Sequence, residues 1–311
     1  MKNCINIKSN QNAKLYKLQG EKMKKFYITC LIFISTLIAA EVDSTTDQCE
    51  ATNDITTEKV FTKDFSGTFN GQKLNYTASL KEKILYEKDN PKAELASFYY
   101  SEYIVSSDEN RPIMFIFNGG PGSASLWLHM GVLGPKIVKV PSDASDDGSP
   151  PYNIIDNNLS PLSETDMVFI DPIGTGYSRA LGCHDGEEFW GVNEDPKIIA
   201  EFIRRWITDN KRWNSPRYIL GESYGGIRGP LLVSELRSGD ITPIEINGLL
   251  MVAPASDYQY LVFHPGNNSP HYGFFPSYAA TAYYHGKVKT EKSLADFYNE
   301  SKKFSLEEYG P

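Results

Sequence analysis

Cysteine is scarce in this chain, four residues in 311, and histidine is nearly as rare, with five. Cys4 and Cys30 lie in the N-terminal segment discussed below, so Cys49 and Cys183 leave room for at most one intrachain disulfide. No zinc-ligand spacing is present, and neither a metal nor another cofactor is expected. Basic residues are outnumbered, 31 lysines and arginines against 39 aspartates and glutamates, for a formal charge of -8. A nucleic-acid partner requires a positive face, which this balance does not supply. Internal repeats, low-complexity tracts and long charge blocks are absent, which excludes solenoids and extended tails. The run Phe26 to Ala40, FYITCLIFISTLIAA, falls short of the roughly 20 residues that a membrane span needs.

That run follows Met23-Lys24-Lys25 and ends in small residues, the layout of a secretory signal. Residues 1–40 are therefore read as an N-terminal extension and signal peptide cut near Ala39 or Ala40. The mature chain is expected to be secreted or periplasmic, with no stable membrane anchor. Its formal charge moves from -8 to -14, because seven lysines and one glutamate leave with the signal. Residues 41–311 are long and apolar enough for one sizeable core and read as one domain.

From Val60 to Ile104, apolar and polar residues alternate around turn signals, as in KLNYTA over 73–78, which suits antiparallel strands. Unbroken apolar runs follow: Ile113 to Phe117, Met167 to Ile170, Tyr218 to Leu220 and Gly248 to Val252. Such runs suit strands buried on both faces. Between the second and third, Ile198, Ile199, Phe202, Ile203, Trp206 and Ile207 recur at helical spacing after Asp195-Pro196, with the aspartate placed to cap and the proline to start the helix. A second helix is expected from Gly226 to about Arg237. Strands alternating with helices predict an α/β fold with a mostly parallel central sheet flanked by helices. The Tyr-, Phe-, His- and Pro-rich stretch over 255–311 reads as a cap or insertion.

Gly221-Glu222-Ser223-Tyr224-Gly225 joins the third run to the second helix. This is the G-x-S-x-G layout of a nucleophile elbow, in which a sharp turn holds the serine in a strained backbone conformation and projects its hydroxyl from the sheet. The Tyr224 amide, at the helix N-terminus, is placed to face a developing oxyanion. A second donor is available from Asn118-Gly119-Gly120-Pro121-Gly122, directly after the first run, where missing side chains let backbone amides approach a substrate. A third cluster, Asp171-Pro172-Ile173-Gly174-Thr175-Gly176-Tyr177-Ser178-Arg179, is not a dinucleotide fingerprint, because Arg179 occupies the place of its third small residue.

FNGGPGSAS, FIDPIGTGYSRA and GESYGG together, in this order, resemble the serine carboxypeptidase family, whose members are α/β-hydrolases that remove C-terminal residues from peptides. The resemblance runs from about Val60 to the end of the chain, and the linking text (SLWLHMGVLGP, FWGV, PSYAATAYYHGK) is most similar to the family's bacterial branch. It implies a serine-type carboxypeptidase working through an acyl-enzyme on Ser223, with peptides bearing a free C-terminus as partners. It implies an oxyanion hole from the amides of Gly120 and Tyr224, and a carboxylate site of Asn118, Gly119 and Glu222, the glutamate being held protonated. An acyltransferase would use the same residues.

Three positions depart from the family pattern. Ile116 stands where tryptophan is frequent, Val132 replaces a second carboxylate-binding glutamate, and Ser123 replaces a cysteine. The loss of the glutamate weakens the expectation of strict carboxypeptidase specificity and an acidic optimum. The resemblance also implies an aspartate and then a histidine beyond the serine, much farther along than the residues present here. Asp257 with His285, and Asp240 with His271, have the right order, but these histidines sit in the aromatic stretch where packing or surface roles are commoner. The domain is therefore expected to be incomplete, ending before the C-terminal part of the sheet and lacking the triad Asp and His. The alternative is a catalytically inert fragment or binding module.

Overall fold

The computed structural model describes residues 57–105, 110–141, 143, 145, 148–238 and 242–309. The signal segment, Cys49 and Asp240 lie outside these residues. Cys183 is disulfide-bonded. All described elements belong to one unit, Glu50–Pro311.

An antiparallel meander comes first, built from β1 (Val60–Phe69), β2 (Gln72–Tyr86) and β3 (Glu94–Val105). Asn70 and Gly71 join β1 to β2 with φ of +48° and +81°, the two left-handed residues that a tight hairpin needs and that Asn-Gly supplies at low cost. The apolar runs then become β4 (Ile113–Phe117), β7 (Asp166–Ile170), β9 (Arg217–Glu222) and β10 (Gly248–Val252). The sheet order is β1-β2-β3-β7-β4-β9-β10, with β8 (Arg179–Ala180) pairing to β3. β7, β4, β9 and β10 are mutually parallel, whereas β3 meets β7 antiparallel. The sheet is thus mixed, its parallel part continued by the antiparallel N-terminal strands that the sequence predicts. A separate ribbon pairs β5 (Lys136–Val138) with β6 (Ile154–Asp156).

Two helices follow the expected crossovers, α1 (Glu194–Asp209) before β9 and α2 (Gly225–Ser238) after it. Ile199, Phe202, Ile203 and Trp206 of α1 and Leu232 and Leu236 of α2 share one core with Phe115, Phe117, Val168, Ile170 and Ile219 of the sheet. Each such side chain contributes about 1.5–3 kcal/mol on full burial, far more than helix propensity does. The other face of the sheet, with Ile116, Met167, Phe169 and Leu220, packs against Phe69, Tyr76, Leu128 and Leu162. There the cover comes from the meander and from short turns rather than from long helices. The aromatic stretch forms α3 (Ser269–Tyr284) and α4 (Leu294–Phe304), joined by ring contacts such as Tyr283 on Phe297 and Phe275 on Phe304.

Two expectations are corrected. β10 pairs with β9 alone among the described strands, and Leu250, Met251 and Val252 are exposed, so this run is an edge strand and not one buried on both faces. A run of apolar letters records what a strand offers to neighbours, not which neighbours are present. Asp195 does not cap α1. Asn193 occupies that position without a side-chain cap bond, and the Asp195 carboxylate pairs with Arg228 at 2.7 Å, a stronger partner than a helix N–H group.

Candidate active site

Ser223 sits between β9 and α2 at φ = +57°, a conformation that costs a non-glycine residue about 1–3 kcal/mol and persists only where the surroundings enforce it. Here they do. The Ser223 N–H donates to Val252 O at 3.0 Å, while the Ser223 carbonyl accepts from Gly226 N at 2.9 Å and Ala255 N at 2.8 Å. Parallel pairing of β9 with both β4 and β10 holds the strand on which this turn is built. The Ser223 side chain is partly exposed, and its hydroxyl makes no hydrogen bond with any described residue.

The loop after β4 comes directly alongside. A Cβ built on Gly119 would lie 2.4 Å from Tyr224 N, 2.6 Å from Glu222 O and 2.9 Å from Ser223 Cβ, so only glycine permits this approach. Gly120, at φ = +108°, is exposed. Neither the Gly120 amide nor the Tyr224 amide donates to a described residue. The Tyr224 amide is thus an unspent backbone donor next to a strained serine, and Gly120 follows the glycine that packs against that elbow.

Asn118 and Glu222 are brought together. Asn118 Nδ2 donates to Glu222 Oε2 at 3.1 Å, and Asn118 Oδ1 accepts from Leu128 N at 3.0 Å. Asn118 is fully buried, whereas Glu222 is partly exposed, so of this pair it is the glutamate that offers surface to a ligand. Val132 is exposed in the turn His129–Leu133, Ile116 is core, and Ser123 N donates to Gly119 O at 3.2 Å.

Arg228 was not legible as a site residue. Its guanidinium lies 5.1 Å from the Phe117 ring and 5.2 Å from the Tyr224 ring, donates from Nη1 to Asn118 O at 2.7 Å and from Nε to Asp195 Oδ2 at 2.7 Å. It ties the glycine loop, the elbow and α1 into one support. Burial raises the Asp195 carboxyl above the usual range, and Arg228 opposes that shift. The Asp171 cluster is a clamp of the same kind: Asp171 Oδ1 accepts from Ser125 N at 2.8 Å, and Ser178 Oγ donates to Asp171 O at 2.7 Å.

His129, in the turn after the glycine loop, meets the Tyr103 hydroxyl at 2.6 Å and stacks 4.5 Å from Phe169. Burial holds its imidazole down at about 4, so the folded state resists taking a proton that the unfolded chain accepts. Stability contributed by the neutral ring is intact above about pH 6.5 and should decline by about 3 kcal/mol as the pH falls to 4. Urea unfolding at both pH values should show wild type losing that much more than a His129→Phe variant; equal losses would refute the account.

The other four histidines are elsewhere, His184 between Glu87 and Glu188 at 3.0 and 2.8 Å. His264 Nδ1 contacts its own Pro265 carbonyl, His271 stands edge-on to Phe263, and His285 follows α3 beside Tyr284. Asp257 accepts from Gln259 N at 2.8 Å. No described histidine bonds Ser223.

The serine carboxypeptidase family model matches residues 72–299. Among curated proteins, "Serine carboxypeptidase-like 2" of Arabidopsis thaliana is 28% identical over 173 residues, covering 53% of this chain and 37% of that protein. "Serine carboxypeptidase-like 5" of the same plant is 28% identical over 181 residues, covering 54% and 40%. The chain therefore spans about two fifths of the length of these relatives. A crystal structure of a prohormone-processing carboxypeptidase from Saccharomyces cerevisiae overlaps 75% of this chain and 53% of that one, with a TM-score of 0.46 and 18% identity. No described helix is long and apolar enough to cross a membrane. With the family model covering well over half of its length and the parallel strands, elbow and glycine loop in the order described, the chain belongs to the serine carboxypeptidase family, a group of α/β-hydrolases.

Proposed function

We propose that Ser223 is the nucleophile of a serine carboxypeptidase-type hydrolase that releases C-terminal residues from peptides through an acyl-enzyme. The observation that carries this reading is the left-handed Ser223 with the glycine loop packed against its elbow and the amides of Gly120 and Tyr224 unspent. In the proposed reaction Ser223 Oγ attacks the scissile carbonyl, its proton passes to a base, and the carbonyl oxygen turns toward the two N–H groups as its charge develops. Glu222, held by Asn118, and the Gly119 backbone receive the substrate's terminal carboxylate. Export to an extracytoplasmic compartment, directed by the Phe26 to Ala40 run, is part of the proposal.

We infer that the base lies outside the described residues, since no described histidine bonds Ser223. Loss of triad members in serine hydrolases lowers kcat by about 10⁴- to 10⁶-fold, so residues 1–311 alone should turn over peptides at or below the corresponding residual rate. In the full-length protein, Ser223→Ala should abolish both peptidase activity and fluorophosphonate labelling. Unchanged labelling in that variant would refute the assignment. An acyltransferase outcome would appear as ester or amide products when acceptor alcohols or amines are supplied.

A further inference from the structure

A cavity of about 300 Å³ opens between the glycine loop after β4 and the loop after β7. Its apolar wall includes Pro121, Ile173, Phe189 and Trp190, and the Asp195–Arg228 pair contributes the polar part. The size is at the lower end of the roughly 300–1,000 Å³ range of ligand pockets, enough for one side chain rather than an extended ligand.

The polar part is incomplete. Arg228 and Asp195 are 1% and 6% exposed. Arg228 uses Nε on Asp195 Oδ2 and Nη1 on Asn118 O, which leaves Arg228 Nη2 and Asp195 Oδ1 without a hydrogen-bond partner among the described residues. Arg217 Nε is the described side-chain polar atom that is both sealed from solvent and unpaired. The two unpaired atoms of the Asp195–Arg228 pair therefore retain a small accessible surface, and the cavity is the space their residues line. A ligand that filled the cavity without answering both atoms would leave them buried and unsatisfied, at a cost of about 1–3 kcal/mol.

The chemistry of the missing group follows from the charges. Arg228 and Asp195 already neutralise one another at 2.7 Å. A carboxylate would meet Arg228 Nη2 but be repelled by Asp195 Oδ1, and an ammonium would suffer the reverse. A neutral group that accepts and donates at once suits both atoms, while its apolar body lies along Ile173, Phe189 and Trp190. We propose that this cavity is a side-chain subsite for residues with an apolar body and a neutral donor–acceptor head, a phenol or a carboxamide. Its description as a substrate subsite rests on the hydrolase reading above; the recognition itself does not. The cavity belongs to the same support as the catalytic elements, since Arg228 also holds the Asn118 carbonyl and lies against the Tyr224 ring.

The test is direct binding to the protein of five small probes: p-cresol, benzamide, toluene, benzoate and benzylammonium. Saturation-transfer NMR gives the affinities and the Trp190 indole resonance reports the location. The expected result is that p-cresol and benzamide bind at least about tenfold more tightly than the other three and shift the Trp190 signal. Arg228→Lys should erase that preference. Trp190→Ala, at a half-exposed wall position that leaves the ion pair in place, should weaken all the probes together. Equal binding of all five, preference for benzoate or benzylammonium, or no binding by a wild-type protein that melts cooperatively would each overturn the proposal. Fluorophosphonate labelling of Ser223 separates the two readings. Labelling lost with the head-group preference kept removes the hydrolase reading and leaves the pocket; labelling kept with the preference absent does the opposite.

Discussion

Arg228→Leu should lower the unfolding free energy by about 3–5 kcal/mol, the cost of leaving a buried ion without its partner. Arg228 is 1% exposed, and its Nε and Nη1 donate to Asp195 and to the Asn118 carbonyl. Leucine would fill part of the volume but strand the carboxylate and the carbonyl together. For a domain of this size that loss is a fall of roughly 6–20 °C in Tm. The pH dependence identifies the cause. Burial already raises the Asp195 carboxyl, and Arg228 is the group that restrains it. Without Arg228 the folded-state value rises further above the unfolded one, so protonated Asp195 is favoured in the fold. The defect is then smallest in acid, where the carboxyl is protonated in both states, and grows as the pH rises toward neutrality. Denaturant unfolding of Arg228→Leu at pH 4.5 and pH 7.5 should show this widening, and adding Asp195→Asn should recover part of the loss at pH 7.5. A defect independent of pH and unaffected by the second substitution would mean that lost packing dominates.

Gly119→Ala is expected to be the most damaging single-methyl change in the candidate site. Its Cβ would fall 2.4 Å from Tyr224 N and 2.6 Å from Glu222 O, and both are backbone atoms that cannot rotate away. The glycine loop or the elbow must shift, and on the proposed reading either movement disturbs the oxyanion donors that the two supply. Losing one oxyanion donor typically lowers kcat by about 10²- to 10³-fold, so fluorophosphonate labelling of Ser223 should slow by a similar factor. Overpacking adds a stability cost of about 1–3 kcal/mol, which circular dichroism and thermal melts distinguish from lost reactivity in the folded protein. Labelling at the wild-type rate would show that the loop does not carry the donor.

The strands and the elbow were legible in the sequence because their signals are local. Ile113 to Phe117 and Gly248 to Val252 match β4 and β10 residue for residue, since unbroken apolar runs bounded by loops have few other solutions. The G-x-S-x-G turn was legible because a serine between two glycines at a strand-to-helix junction has few conformations open to it. Asp195 misled for an instructive reason. Its position before Pro196 is that of a cap, yet its partner Arg228 lies 33 residues away and on another helix. Asn118 was equally opaque: its letter allows contact with a ligand, while its complete burial depends on Leu128 and Glu222, which only the fold assembles.

By itself the sequence determined the order of strands and helices, the conformational demand at Ser223 and the freedom of Gly119 and Gly120, because each depends on residues within a few positions of one another. Only the tertiary structure decided that β10 is an exposed edge, that Arg228 and Asp195 share a buried charge pair, and that a cavity with two unanswered polar atoms adjoins them. Burial and electrostatic pairing are properties of neighbours in space, and residues 33 to 110 apart along the chain become neighbours here only through the sheet order.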